Sequence, residues 1–464
     1  MRKAVVYPTK DVNRFCIRRG GEKTLCFIAQ QSIGIITDKP RVLEMFEVKE
    51  NTKNVATDLY AKVRRKQLKE FQDRMPSDKQ GVEFTHNEKT YIAAIRRLTP
   101  TECGRLQGVP DWYDWGDISE AQQYKMMGNG WQCDTIIHCF SFLPKSIGVG
   151  NFTVWSLFDG MSCASIVLKQ LGIIPKVFIS SEIDKAAIKA EKQNFPDMVQ
   201  VGSVTDIDVA ELVEKYGVPD LLCGGSPCQS FSFSGKMKGM STAQGEEIYT
   251  LDRYLELKSQ GFEFEGQSYL FWEYMRILTE LRKYNPNILF FLENVEMLDK
   301  WERCLSHAIG VRGVHINSAL VSAQQRKRIY WSNIKVKDLG NTSLFDFSDN
   351  PFEWPTKQTD IPQPEDRGIV IKDILQDIVG DKYYLKDGTT SQLIEKTDKK
   401  KLKDYLLEPQ MSVDEVLEYM NTDSEYSSYT DDEKREIAIL GYELEKKRLH
   451  DNYYGKEQDI YEKE

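Results

Sequence analysis

Nine cysteines occur in the 464 residues, yet none forms a CxxC pair, which argues against both a disulfide framework and a zinc module. The nearest thing to a ligand cluster is Cys133, His138 and Cys139 in "WQCDTIIHCFSF". That stretch has the pattern of an apolar helix and its spacing fits no common metal site, so core packing is the expected role. No apolar run approaches the roughly 20 residues of a membrane helix. The N-terminal "MRKAVVYPTKDVNRFCIRRG" is basic but lacks the apolar middle region and small-residue cleavage site of a secretory leader. Internal repeats and low-complexity tracts are also missing. With 41% hydrophobic and 11% aromatic residues, a soluble, globular, cytoplasmic protein of two or three units is expected.

The net charge of -9 is unevenly spread: residues 1–100 hold 21 Lys+Arg against 12 Asp+Glu, and residues 401–464 hold 9 against 18. A local basic surface suits phosphate contacts and coexists with an acidic whole. Taken alone, "AKVRRKQLKEFQDR" (61–74) reads as a solvated helix face.

The middle of the chain has the rhythm of a parallel α/β sheet. Strands are predicted at 152–158, 176–182, 220–227 and 287–295, with helices at 163–172, 184–195 and 270–284, and "VHINSALV" and "RIYWSNI" complete the sheet. The aromatics of "FWEYMRI" belong to the core. In such sheets ligands bind outside the carboxyl ends of the strands. Phe158-Asp159-Gly160, Glu182, Ser226-Pro227-Cys228 and Glu293-Asn294 all fall at those ends.

A cysteine is a nucleophile only as its thiolate. Cys228 follows Pro227, whose fixed φ stiffens the turn, and a Gly/Ser-rich run follows it; Cys223, inside the strand, is expected to be inert. Glu293 at a neighbouring strand end offers a proton-handling carboxyl, and "QQRKR" (324–328) offers cations for charge developing on a bound base.

"PCQ" (227–229), "ENV" (293–295), "QQRKR" (324–328) and "FDG" (158–160), in this order and at these distances, resemble the cytosine-5 DNA methyltransferases that use S-adenosylmethionine. "RRLTPTECGRLQGVPDWY" (96–113) and "YKMMGNGW" (124–131) resemble that family's last two motifs, and the longer stretches resemble its phage and prophage branch. Those two motifs here precede the first strand, a circularly permuted order. Within "LTPTECGRLQG", Thr99 reads as a helix N-cap with Glu102 as its box partner, a structural role.

The resemblance implies a Rossmann-like, S-adenosylmethionine-dependent methyltransferase sheet with a second, smaller target-recognition region. It further implies that Cys228, on a turn stiffened by Pro227, attacks carbon 6 of a cytosine flipped out of double-stranded DNA. Glu293 would hold or protonate ring nitrogen 3. Arg328 would contact the exocyclic oxygen, with Arg326 supporting it or a phosphate. The run after Cys228, extending towards Gln267, would be a mobile loop that closes over the base. For the cofactor, Phe158 would pack on adenine with Ile183 nearby, Asp159-Gly160 would approach the methionine part, Glu182 would bond the ribose hydroxyls, and Asn129 would help at the methionine end. Ser203 stands where the family has an aspartate for the adenine amino group, with Asp206 three residues later, and Ser162 stands where it has a second glycine.

The expected organisation is a basic region at 1–90 forming part of target recognition, permuted motifs at 91–148, a catalytic core at 149–335, a connector and the start of the target-recognition region at 336–398, and an acidic, helix-prone tail at 399–464. The expected protein is a monomer without a metal, working in a bacterial or phage-infected host, with a cognate restriction enzyme as an optional partner. Two alternatives share the sequence features: an RNA cytosine-5 methyltransferase, and an inactive nucleic-acid-binding relic.

Overall fold

Short β-prone runs near the N-terminus pair into one sheet, and the longer apolar runs of the middle pair into another. A computed structural model of the chain describes residues 2–8, 15–18, 41–47, 66–86, 89–228, 231, 239–340, 350–395, 413–423 and 426–443. The chain divides into two compact units, one made of residues 1–24, 30–102 and 370–464 and the other of 25–29 and 103–369.

The first unit is built on strands β1 (Arg2–Pro8), β2 (Phe15–Arg18), β3 (Arg41–Glu47), β4 (Val82–His86) and β5 (Lys89–Arg97). They form an antiparallel sheet in the order β2-β1-β3-β5-β4. Residues 66–74 are helical, with Leu68 and Phe71 buried and Lys66, Lys69 and Arg74 exposed. Leu68, Phe71 and Met75 pack with Ala94, Val379, Tyr383 and Tyr384. Segment 370–395 therefore returns to the N-terminal sheet, and the Leu385 amide bonds the Ile95 carbonyl at 2.8 Å. The helix Val413–Thr422 packs against helical residues 431–443 through Val416, Met420, Tyr426 and Ala438.

The expected cap at Thr99 is present. Glu102 N donates to Thr99 Oγ1 at 3.2 Å, and Thr99 N donates to Glu102 Oε2 at 2.8 Å. The same carboxylate, fully buried, takes both amino ends of the Arg96 guanidinium at 2.8 and 2.9 Å. A buried bidentate pair with backbone donors on its remaining lone pairs is the arrangement in which burial of charge is tolerated. The side chains of β1–β3 and residues 48–65 lie outside the described residues, and with them most of the basic surface expected in the first 90.

The second unit carries β6 (Thr153–Leu157), β7 (Val177–Ser181), β8 (Val199–Gln200), β9 (Leu221–Gly225), a short pair β10 (Ser241–Thr242) and β11 (Phe264–Glu265), then β12 (Leu289–Val295), β13 (Val314–Asn317) and β14 (Lys327–Ser332). Its seven-stranded sheet has the order β13-β14-β12-β9-β6-β7-β8. The run from β12 to β8 is parallel, and β13 and β14 close one edge antiparallel. Every residue of β6 is buried, as a strand covered by helices on both faces requires. The core gathers Trp155, Trp272, Trp301 and Trp331, all nearly inaccessible. Chain order reverses between β6 and β9, and at such a switch point the strand ends open a crevice.

The boundaries differ from those expected. β5 pairs with β3 and β4, which draws residues 91–102 into the first unit. Thr359 bonds the Ser332 carbonyl and Arg312 N bonds the Lys357 carbonyl, which keeps residues 350–369 with the catalytic sheet. Among the described residues no helix is long and apolar enough to cross a membrane.

Candidate active site

Parallel pairing sets Glu293 of β12 beside Gly225 of β9, and antiparallel pairing sets Val295 beside Arg328 of β14. The turn Ser226-Pro227-Cys228 leaves β9 at that level. Asn294, almost wholly buried, fixes the turn by donating its side-chain amide to the Ser226 carbonyl at 3.2 Å and to Ser226 Oγ at 3.0 Å. The turn closes where Phe231 N donates to the Cys228 carbonyl at 3.0 Å, with Phe231 buried edge-on against Trp301. Arg328 Nε lies 2.9 Å from Glu293 Oε1, and both side chains keep 12% exposure. One nucleophile, one carboxyl and one guanidinium thus share a partly open corner.

Burial pushes the Cys228 thiol above its ordinary value; Arg328 and Arg326 draw it back and Glu293 adds to the rise. At rest the sulfur is therefore held as a thiol. Burial also pushes up Cys223, which is inaccessible inside β9.

The two arginines of "QQRKR" separate sharply. Arg326 is 2% exposed, and its guanidinium donates to the carbonyls of Gly128 (3.3 Å) and Gly130 (2.8 Å). Gln324 Nε2 donates to the Leu106 carbonyl at 3.0 Å, joined there by Ser322 Oγ at 2.7 Å. A guanidinium so enclosed has no route to a DNA phosphate. Arg326, expected to support Arg328 or to contact a phosphate, donates to the carbonyls of residues 128 and 130.

Trp131, which the sequence reading did not single out, follows directly. A Cβ on Gly225 would come within 2.7 Å of Trp131 Nε1 and 3.1 Å of Glu293 Oε2, so the indole and the carboxyl crowd a position that only glycine leaves open. Its sole sequence signal is an aromatic residue next to "GNG". Asn129, beside it, is exposed at the end of the helix Glu120–Asn129.

The other half of the crevice is formed by the ends of β6, β7 and β8. Phe158 and Ser162 are left-handed, with φ of 56° and 62°, conformations that side chains tolerate poorly. The turn they frame directs Gly160 N to Glu182 Oε2 at 2.8 Å, and a Cβ on Gly160 would meet only open space. Glu182 Oε1 takes the amides of Ile183 and Asp184, both at 2.8 Å. Ile183, after β7, is 65% exposed, and Phe158, after β6, is half-buried. Ser203 caps the short turn Val204–Asp206, and Asp206 is exposed and bonded to Thr205.

Beneath the turn, Asp159 accepts from Ser156 Oγ through Oδ1, Ser162 and Ser180 also lie close enough to draw its carboxyl down, and among the described residues its buried Oδ2 makes no well-formed hydrogen bond. Burial pushes Asp159 up to about 7 against the pull of Ser156. Burial and the Asp159 charge push Glu191 up to about 8, although Ser180 donates to it at 2.9 Å. An orphaned acidic oxygen, an open glycine, an exposed apolar pair and a carboxylate at the next strand end fit a nucleoside that carries a cationic amino-acid group.

Residues 103–140 pack on this turn from the side that precedes β6: Tyr113 OH donates to the Met161 carbonyl at 2.8 Å, and Lys125 pairs with Asp184 at 2.6 Å. Residues 229, 230 and 232–238 lie outside the described residues. Beyond them, the run to Gln267 departs from the expected mobile loop: Met240, Ile248, Tyr254 and Leu257 are buried in the core, because the helix Leu251–Ser259 turns an apolar face inward.

The family model for C-5 cytosine-specific DNA methylases matches residues 24–138 and 152–310, more than half of the chain. The orphan methyltransferase M.SPRI of Bacillus phage SPR is 28% identical over 290 residues, 56% of this chain and 57% of its own. The type II methyltransferase M1.ScrFI of Lactococcus lactis subsp. cremoris is 29% identical over 248 residues, 51% and 52% respectively. The chain thus spans little more than half the length of these relatives. A Spodoptera frugiperda DNMT2 mutant superposes with a TM-score of 0.32 at 12% identity over 65% of this chain and 100% of its own, too loosely to inform the site.

Proposed function

The chain belongs to the C-5 cytosine-specific DNA methylases, and from that premise we propose that it methylates carbon 5 of a cytosine flipped out of double-stranded DNA. The observation that carries this reading is the meeting of Cys228, Glu293 and Arg328 on adjoining strand ends next to the β6–β9 crevice.

S-adenosylmethionine, bound in that crevice, supplies an electrophilic methyl group. Phe158 and Ile183 would hold its adenine, with Ser203 near the adenine edge, Glu182 would take the ribose hydroxyls, and Asp159-Gly160 with Asn129 would hold the methionine part. The unpartnered Asp159 oxygen is the group that an ammonium or sulfonium charge satisfies.

Cys228 passes its proton to Glu293, and its sulfur bonds to carbon 6 of the base. Glu293 donates a proton to ring nitrogen 3 as the ring electrons shift towards carbon 5, and Arg328 bonds the exocyclic oxygen. Carbon 5, made nucleophilic in this way, would take the methyl group, whose bond to the cofactor's sulfur breaks and leaves a neutral thioether. Transfer of the carbon 5 proton to water and return of the nitrogen 3 proton to Glu293 then restore the ring, break the carbon–sulfur bond and return the thiolate. Pro227 and the Asn294 clamp keep the sulfur in position between these steps.

The permuted motif order is part of the proposal, supported by the packing of residues 103–140 on the β6 turn. So are the basic N-terminal region as part of the DNA-reading surface, the monomeric cytoplasmic state, and service in phage protection or beside a restriction enzyme. Base-resolution 5-methylcytosine sequencing of a methylation-free host expressing the chain tests the reaction. Methylation is expected in one recurring context and is lost in Cys228→Ala; absence of methylation from soluble wild-type protein would reject the proposal.

A further inference from the structure

Glu273 lies in the first turn of the helix Phe271–Tyr284 with its side chain wholly buried. A buried carboxylate persists only when donors replace its water. Tyr254 OH and Lys258 Nζ each lie 2.5 Å from Oε1, and Arg276 Nε lies 2.8 Å from Oε2. Tyr254 and Lys258 come from the helix Leu251–Ser259, within the segment that follows the Cys228 turn.

Both cations also reach further. Arg276 Nη2 donates to the Val204 carbonyl at 3.0 Å, and Lys258 Nζ lies 3.5 Å from the Thr205 carbonyl. Val204 and Thr205 form the turn capped by Ser203 at the end of β8. That turn is joined to the Glu182 corner, where Glu182 N donates to Gln200 Oε1 at 3.3 Å and Ser181 Oγ donates to the Gly202 carbonyl at 2.7 Å. A single buried charge therefore holds both the segment 240–267 and the outer wall of the crevice.

We propose that Glu273 is a positioning residue that couples the segment following the catalytic cysteine to the adenine side of the cofactor site. This role rests on the methyl-transfer reading above. Without the charge, Lys258 and Arg276 repel each other and the 203–206 turn loses its donors. Coupling is reciprocal, so a nucleoside that orders the turn also steadies the helix Leu251–Ser259.

Titration calorimetry of the full chain with S-adenosylhomocysteine, joined to amide exchange over residues 251–259, tests this. Glu273→Gln is expected to raise the Kd about tenfold and Lys258→Met about threefold, the size expected for losing charge-assisted hydrogen bonds. The KM for DNA should stay within about twofold, since the network faces the cofactor side, and the protection that the ligand gives residues 251–259 should disappear in both variants. Lys258 is 36% exposed, so its variant folds even where Glu273→Gln does not. An unchanged Kd and intact protection in folded Lys258→Met would overturn the coupling alone. Failure of the wild-type chain to bind S-adenosylhomocysteine would overturn the methyl-transfer reading and this role with it.

Discussion

The two sides of the crevice handle charge in opposite ways. On the β9–β12–β14 side an acid and a base neutralise each other, with Glu293 and Arg328 2.9 Å apart. On the β6–β7–β8 side Asp159 and Glu191 are buried acids that form no ion pair among the described residues, pushed up to about 7 and about 8. The first side is complete and suits a neutral ring on which charge develops only during reaction. The second has a deficit of positive charge that a cationic ligand makes good. In the proposed reading the first is the substrate side and the second the cofactor side.

The sharpest way to break the comparison is to remove charge from the first side. Arg328→Ala should lower the methylation rate by ~10²–10⁴-fold with little change in stability, as loss of a group that stabilises developing charge does. Arg326→Met should act differently: it leaves the Gly128 and Gly130 carbonyls buried without donors, costing about 2–3 kcal/mol of stability. Comparing rates and thermal melts of the two variants separates a group at the base from one that holds the neighbouring segment.

A moderate effect is expected on the second side. Both acids have folded-state values raised above their unfolded values, so the folded chain binds more protons across that window and stability falls as pH rises from about 4.5 to about 8. The slope is at most about 1.4 kcal/mol per pH unit for each proton. Glu191→Gln should flatten melting temperature against pH, and an unchanged slope would show that the deficit lies elsewhere. The smallest effect belongs to Ser162→Gly. Relief of the left-handed strain at φ 62° is set against greater freedom of the unfolded chain, so a gain of less than about 1 kcal/mol is expected in thermal melts.

The central sheet was legible because its strands are buried on both faces. Continuous apolar runs gave β6, β7, β9 and β12 to within about two residues, and turn residues marked their ends. Cys228 and Glu293 were legible for the same reason, since chemistry gathers at strand ends. Trp131, Asn294 and the destination of Arg326 were not, because each depends on contacts with distant parts of the chain. A basic residue two positions from the corner reads the same whether it points into the site or under a neighbouring segment. The fixed course of residues 240–267 was missed because glycines and serines near Cys228 drew attention from Met240, Ile248 and Leu257, which anchor it.

Gln324 and Arg326 hold Leu106, Gly128 and Gly130 by their main-chain carbonyls. Every amino acid carries that group. The attachment of residues 106–130 is consequently blind to most side-chain identities there, and indifferent to which way the chain enters or leaves. Drift in that stretch, and rewiring of its connections over evolutionary time, leave the grip intact as long as the backbone keeps its path.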